Sequence, residues 1–102
     1  MCYYNNSMGT QYIWDENKRI KNFRKHGLDF ARAAEVLESN ARLDVQVVRN
    51  GEARVQSISY ALGFLAVLTV AHVDRDGATR IISFRRASST EREDYYEWLE
   101  NQ

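Results

Sequence analysis

Three arginines close together in one predicted strand are the residues best suited to chemistry in this chain. The segment Arg80-Ile-Ile-Ser-Phe-Arg85-Arg86 ends in two adjacent guanidiniums, and neighbouring residues of a strand point to opposite faces of its sheet. Arg80 has the same parity as Arg86, so strand alternation places these two on one face and Arg85 on the other. A guanidinium binds two phosphate oxygens at once and keeps its proton. We therefore expect one of the adjacent arginines to bind a phosphate and the other to anchor a helix or a carboxylate.

His26 is the side chain best suited to proton transfer, because its ordinary pKa lies nearest neutrality. It stands at the predicted end of a helix, where the helix dipole favours the protonated imidazole, the form that a general acid needs. The adjacent Lys25 opposes a second positive charge, and the sequence leaves open which effect is larger. His72, in the most apolar strand, is the second candidate.

Each candidate also has a purely structural interpretation. The Lys-His-Gly run at residues 25–27 is typical of a solvated helix end, and the arginine pair suits an ion pair with Glu91 or Glu93. Lys18 and Lys21 share a helical stripe with the lysine at position 25. Such a stripe is either a solvated helix face or a surface that contacts RNA phosphates.

Charge is distributed unevenly along a chain whose formal net charge is zero. Residues 15–32 and residues 80–86 each carry three excess positive charges, whereas residues 33–79 sum to −2 and residues 87–102 to −4. A neutral total argues against nucleic-acid binding by a uniformly basic surface. The fold decides whether the two basic segments meet.

Length and composition indicate one domain without cofactors. The 102 residues, 44% of them hydrophobic, are enough to bury a core but too few for two domains. Residues 1–11 are polar and aperiodic, so we expect a disordered leader or cloning remnant before a domain at residues 12–102. The single Cys2 gives no disulfide framework or metal cluster, and the longest apolar run, residues 64–71, is too short for a membrane span. We expect a cytoplasmic protein with no metal or cofactor.

The first half of the domain has helical periodicity. After a short strand at residues 13–14, Asp15 is a good N-cap for a helix that buries Ile20 and Phe23 and ends at Gly27. Asp29 caps a second helix, and the apolar stripe of this helix comprises Phe30, Ala33, Ala34 and Leu37.

The second half alternates with the period of a strand. Apolar alternation from Leu43, hairpin dipeptides at residues 50–51 and 76–77, and the very apolar residues 65–73 predict about four antiparallel strands. A capping-box pattern at residues 88–91 begins a final helix. The order β-α-α-β-β-β-β-α indicates an α+β fold, with an antiparallel sheet that carries its helices on one face and leaves the other open.

Two separated motifs resemble a known family. The first is Trp-Asp…Lys-His-Gly-x-x-Phe at residues 14–30, and the second is Arg-Ile-Ile-Ser-x-Arg-Arg-Ala at residues 80–87. Between them, the apolar strand ends in His-x-x-Arg at residues 72–75. In this order the motifs are similar to the BrnT family of type II toxins over residues 12–99.

The resemblance implies a RelE-like ribonuclease that inhibits translation and is neutralised by a ribbon-helix-helix antitoxin encoded beside it. Such antitoxins are dimers that bind operator DNA, so the implied assembly is a heterotetramer that meets DNA only through the antitoxin. Metal-independent RNA cleavage uses the 2′-hydroxyl as nucleophile and needs a base, an acid and positive charge around the phosphorane. The expected catalytic residues are His26, Lys25, Arg85 and Arg86, and the expected RNA-binding residues are Arg75, Arg80, Lys18 and Lys21.

Two positions depart from the family pattern. Ser59 replaces a usual glycine, and Phe64 stands where an arginine or lysine usually follows the glycine, a charge that Arg54 is able to supply instead. This departure and the acidic tail support a second hypothesis, a non-catalytic co-repressor or interaction module with the same fold. A third hypothesis is an RNA-binding protein without an enzymatic step.

Overall fold

The computed structural model describes residues 2–5 and 10–102. The strands are β1 (Cys2–Asn5), β2 (Gln11–Trp14), β3 (Leu43–Arg49), β4 (Glu52–Ala61), β5 (Ala66–Arg75) and β6 (Ala78–Arg86). The helices are α1 (Glu16–His26), a 3₁₀ helix (Phe30–Arg32), α2 (Ala34–Leu37) and α3 (Ser89–Glu100). The described strands form one six-stranded sheet in the order β1-β2-β6-β5-β4-β3, and the α+β class is confirmed. None of the described helices is long and apolar enough to cross a membrane.

Two tight turns fix the register of the β3–β6 meander. Asn50 and Gly51 have φ of 53° and 76°, and Asp76 and Gly77 have φ of 53° and 78°. Positive φ at both central residues is the type I′ geometry that matches the twist of a hairpin. The predicted antiparallel meander is therefore confirmed, with β5 buried on both of its faces.

The sheet is not antiparallel throughout. β2 pairs with β6 in parallel, and β1 pairs with β2 as an antiparallel edge strand. The prediction of an antiparallel sheet is wrong at β2, because residues 15–77 separate β2 from β6 and no turn sets their relative direction. Regular structure also extends into residues 1–11, where disorder was expected. Residues 1 and 6–9 lie outside the described part of the chain, and where the folded domain begins stays a prediction.

The helices lie on both faces of the sheet, so the prediction that they share one face is wrong. The 3₁₀ helix and α2 cover what we call the helical face, where Leu68 and Val70 point into the larger core cluster. On the opposite face, α3 packs Tyr95 against Ile58 and Val67 in a second cluster. The final helix can cover only one end of that face because it is short, and the remainder stays open.

Helix α1 turns a polar side towards the protein. Its caps are as predicted: the Asp15 carboxylate accepts from two backbone N–H groups, and Gly27 ends the helix with φ of 71°. However, Phe23 is 50% exposed and Ile20 is 36% exposed, so their predicted burial is wrong. The buried side chain of α1 is instead Asn22, because the helix lies beside the edge of β6 and meets backbone polar groups there.

The predicted second helix divides into two short pieces. Asp29 caps the 3₁₀ helix by accepting from the N–H of Ala31, and α2 follows after Ala33. The predicted apolar stripe is buried at Phe30, Ala33 and Leu37, with Ala34 packed against the core.

Candidate functional site

Five arginines lie on the open face of the sheet. The register pairs Arg85 with Thr69 and Arg80 with Val73, while Gln56 on β4 pairs with Ala71 on β5. Paired residues point to the same side of a sheet, and alternate residues of one strand do so as well. We define the arginine face by the arginines that this register places on the side opposite the helical face: Arg49, Arg54, Arg75, Arg80 and Arg85.

A β-bulge in β6 brings Arg80 and Arg85 to the same face. Ala71 pairs with Ser83 and His72 with Ile81, so Ile82 is an extra residue without a partner on β5. One extra residue reverses the alternation of the side chains that follow. The expectation that Arg80 shares a face with Arg86 is therefore wrong: Arg86 pairs with Leu68, points to the helical side and is exposed.

Arg85 anchors the final helix. Its Nη1 and Nη2 donate to the two carboxylate oxygens of Glu91 at 2.7 and 3.0 Å. Glu91 also accepts from the Thr69 hydroxyl and from the N–H of Ser88. Burial opposes the charge of this carboxylate, but the hydrogen bonds from Arg85 and Ser88 outweigh it and lower the pKa of Glu91 to about 2. The structural interpretation, an ion pair with Glu91, is thus confirmed for Arg85.

Arg54 and Arg80 converge on one carboxylate. Arg54 Nε and Arg80 Nη2 each donate to Glu52, both at 3.0 Å. The hydrogen bond from Arg54 and the charge of Arg80 lower the pKa of Glu52, and Arg75 adds a further positive charge nearby. Glu52 therefore neutralises part of the positive charge of Arg54 and Arg80.

The two basic segments of the sequence meet at β6. On one side of Ile82 and Ser83, a groove of about 250 Å³ is lined by α1 residues that include Lys18, Lys21, Lys25 and His26. On the other side, a groove of about 310 Å³ is lined by residues that include Arg49, Arg54, Gln56 and Arg85. Because both grooves contain Ile82 and Ser83, we treat them as one surface and call it the basic groove.

His26 is half-buried in the basic groove. Burial lowers its pKa, and the positive charges of Lys25 and Arg85 lower it further. The neutral imidazole predominates at neutral pH, which suits a proton acceptor better than a proton donor.

Arg75 and Arg80 lie at the far end of the arginine face. With Ile13, Val73 and Ala78 they line a separate groove of about 430 Å³ between β2 and the β5–β6 hairpin. The predicted RNA-binding residues therefore divide between two places, the lysines in the basic groove and these arginines beside Glu52.

Arg49 lies in the basic groove although it was not among the predicted site residues. A two-residue turn at residues 50–51 pairs position 49 with position 52 and position 47 with position 54. This pairing was readable from the sequence, and it places Arg54 on the same face as Arg49. Asn22 gave no such signal, because nothing local indicates that a polar residue of α1 binds β6.

Position 64 lies on the other side of the sheet from these arginines. Phe64 packs edge-on against Phe84, with ring centroids 5.9 Å apart, and the Arg32 guanidinium lies 4.0 Å from the centroid of the Phe64 ring. Phe64 is therefore part of the core packing, and Arg54 supplies a charge on the open face.

His72 is buried and belongs to a hydrogen-bond chain on the helical face that ends at the exposed carboxylates of Asp44 and Asp74. Its Nε2 lies 2.7 Å from Ser57 Oγ and its Nδ1 lies 2.8 Å from Asp74 Oδ1. Ser57 donates its hydroxyl proton to Asp44 at 2.7 Å. The His72 side chain is buried within this chain and faces away from the arginines, so we interpret it as structural.

The described residues contain no group of three or more His, Cys, Asp or Glu side chains able to hold a metal ion. In a comparison with known families, the family model for the ribonuclease toxin BrnT of type II toxin-antitoxin systems matches residues 14–91, more than half of the chain. No curated protein is significantly similar to the chain.

Proposed function

Because the chain belongs to the BrnT family, the ribonuclease toxins of type II toxin-antitoxin systems, we propose that the basic groove is its RNA-cleaving site. One observation carries this proposal: α1 and β6 bring a neutral imidazole beside lysines and arginines in a surface groove. An imidazole of lowered pKa next to fixed positive charge is the combination that phosphodiester transfer to an internal hydroxyl requires.

In the proposed reaction, His26 takes the proton of the 2′-hydroxyl as that oxygen attacks the adjacent phosphorus. The bond from phosphorus to the 5′-oxygen breaks, and the Lys25 ammonium gives this oxygen its proton. The products are a 2′,3′-cyclic phosphate and a 5′-hydroxyl, with no metal in the step. Lys25 and Arg85 act on His26 electrostatically, which keeps its imidazole ready to accept a proton.

The arginines have different roles in this proposal. Arg85 contributes its positive field while it holds α3, and Arg54 and Arg49 contact the phosphates that follow the groove. Arg86, on the other side of β6, takes no part, which changes the role expected for it from the sequence. Lys18 and Lys21 extend the phosphate track along α1.

The implied partners follow from family membership. A toxin of a type II system has an antitoxin and an RNA target. We extend this to a RelE-like fold, a ribbon-helix-helix antitoxin, a heterotetramer that reaches operator DNA through the antitoxin, and inhibition of translation. A sheet with both parallel and antiparallel strand pairs beside a basic groove is compatible with each of these proposals.

The test is cleavage of a 5′-labelled single-stranded RNA in excess chelator. We expect wild-type protein to produce fragments that end in a cyclic phosphate. Fragments that end in a 3′-hydroxyl, or activity only after a divalent metal is added, would contradict the mechanism.

One observation favours the non-catalytic alternative. Glu52 and Glu91 pair with three of the arginines on the arginine face, so part of its charge is already neutralised in the free protein. A co-repressor would need the partner surface but no cleavage. Purified protein that binds the antitoxin and leaves RNA intact would support this role.

A further inference from the structure

Asn22 binds the edge of β6 with both ends of its carboxamide. Its Nδ2 donates to the carbonyl of Phe84 at 2.8 Å, and its Oδ1 accepts from the N–H of Phe84 at 3.1 Å. The same Nδ2 donates to the carbonyl of Leu28 at 3.0 Å. Asn22 is also the side chain that α1 buries among the described residues.

These bonds replace a missing strand. β2 pairs with β6 at Ala78, Thr79 and Arg80, and its pairing does not extend as far as Phe84. A buried backbone N–H or carbonyl without a partner is costly, so this part of the edge needs another donor and acceptor. The carboxamide supplies both in the positions of a neighbouring strand, and it joins α1 to β6 there.

The hydrogen bonds between Asn22 and Phe84 lie next to the proposed site. Phe84 lies between Ser83 and Arg85, which line the basic groove. His26 follows Asn22 by four residues and so lies on the same side of α1. The bond to Leu28 holds the chain directly after the helix, on the far side of His26 from Asn22.

We propose that Asn22 is a positioning residue that holds the His26 imidazole against β6 beside Arg85. The effect on catalysis rests on the proposed function. The attachment of α1 to β6 rests only on the three hydrogen bonds of Asn22. A displacement of about 1 Å can cost about a hundredfold in rate. Hydrogen bonds between α1 and β6 one helical turn from the imidazole are therefore sufficient to control its position.

A purely structural role for Asn22 would leave the environment of His26 unchanged in any variant that still folds. The charged groups that face His26 are Lys25 on its own helix and Arg85 on β6, with Lys18 and Lys21 in the same groove. If α1 moves away from β6, His26 becomes more solvated and more distant from Arg85. Its pKa then rises towards the ordinary value.

The experiment compares Asn22→Ala with Asn17→Ala, a matched control at an exposed position of the same helix. NMR titration of the His26 imidazole should give a higher pKa in Asn22→Ala than in wild type, and hydrogen exchange at the Phe84 amide should accelerate. In RNA cleavage we expect kcat to fall about tenfold to a hundredfold with KM nearly unchanged. Asn17→Ala should match wild type in all three measurements.

If Asn22→Ala does not fold, Asn22→Ser is the second variant, because it removes the carboxamide but keeps a polar hydroxyl at this position. A folded variant whose His26 titrates as in wild type and whose kcat is unchanged overturns the inference. Failure of wild-type protein to cleave RNA overturns the proposed function instead. The titration and the amide exchange still decide whether Asn22 positions the imidazole.

Discussion

Neighbouring charges decide which single residues of the basic groove are able to act. Burial, and after it the charges of Lys25 and Arg85, lower the pKa of His26, so its neutral imidazole is suited to accept a proton. Arg85 is held by Glu91, whereas Arg54 shares Glu52 with Arg80. Arginine thus anchors a helix at position 85, whereas at positions 54 and 80 two arginines share one carboxylate.

Replacing His26 by alanine should lower the rate of RNA cleavage by roughly 10² to 10⁴, the usual contribution of a general acid or base. Because the pKa of His26 is lowered, wild-type activity should rise through a limb below the ordinary histidine pKa of about 6.5, and the variant should lack this limb. Binding of uncleavable RNA and the melting temperature should change little. Equal rates and equal pH profiles would remove His26 from the mechanism.

Glu52→Gln should tighten RNA binding. The substitution frees Arg54 and Arg80 from a carboxylate that competes with phosphate, while the strand geometry is retained. Each additional phosphate contact on single-stranded RNA adds about 0.7 to the slope of log affinity against log salt. Fluorescence anisotropy at several salt concentrations measures both effects.

Glu35→Gln is the matched control for this comparison. It changes net charge equally and also removes a carboxylate from an arginine, Arg32, but it lies away from the arginine face. An equal gain in affinity in both variants would indicate a general charge effect and would contradict a specific role for Glu52.

At the level of elements, local chemistry made much of the fold predictable. Asn50-Gly51 and Asp76-Gly77 allow positive φ at both turn positions, and Asp15 and Ser88 are strong N-caps, so hairpins and helix starts follow from neighbouring residues. The bulge at Ile82 depends on packing across β5 and β6, and no local pattern marks it.

The polar inner side of α1 was not predictable from the sequence for a similar reason. Helical periodicity assigns the apolar residues to the inside, and at Ile20 and Phe23 this assignment failed. The partner of α1 is the backbone edge of a strand, which requires the carboxamide of Asn22. Only the long-range arrangement of β2 and β6 creates that edge, so sequence patterns within α1 do not reveal it.

The ion pair of Arg85 with Glu91, which joins β6 to α3, should make the free energy of unfolding depend on pH. The pKa of Glu91 falls from 4.5 to about 2 on folding, so its contribution is complete above pH 4.5 and is lost as pH falls towards 2. With a side chain only 16% exposed, we expect about 2–3 kcal/mol from this effect. Urea unfolding should show Glu91→Gln less stable than wild type at pH 7 and the two proteins converging near pH 2. Parallel pH profiles would contradict the assignment.

The hydrogen-bond chain across β3, β4 and β5 should matter for stability and not for cleavage. Ser57→Ala leaves Asp44 and His72 without the hydroxyl that joins them, which should cost about 1–3 kcal/mol in the free energy of unfolding. The kcat of the folded variant should equal that of wild type, because these groups face away from the arginines. A large loss of kcat at unchanged stability would return His72 to the list of catalytic candidates.

At the scale of the whole molecule, the neutral net charge conceals a separation of charge. The open face of the sheet carries arginines and adjoins the lysines of α1, while the carboxylates of Asp44 and Asp74 lie on the helical side. In the proposed function, RNA would therefore bind a basic surface on a protein that is not uniformly basic. Both basic segments of the sequence contribute to this surface, because α1 lines one side of the groove and β6 lines its centre.

Induced expression without the antitoxin distinguishes the toxin from the co-repressor, because only catalysis turns a few molecules of protein into a large loss of RNA. We expect wild-type protein to arrest growth and co-expression of the antitoxin to relieve the arrest. His26→Ala should not arrest growth although it accumulates as folded protein, while Asn17→Ala, with an unaltered groove, should arrest it fully. Arrest by His26→Ala as strong as that by wild type would mean that the protein acts by binding RNA. Absence of arrest with wild type, together with formation of the antitoxin complex, would mean that the fold serves as a partner surface, since the arginines would then be sufficiently neutralised by Glu52 and Glu91.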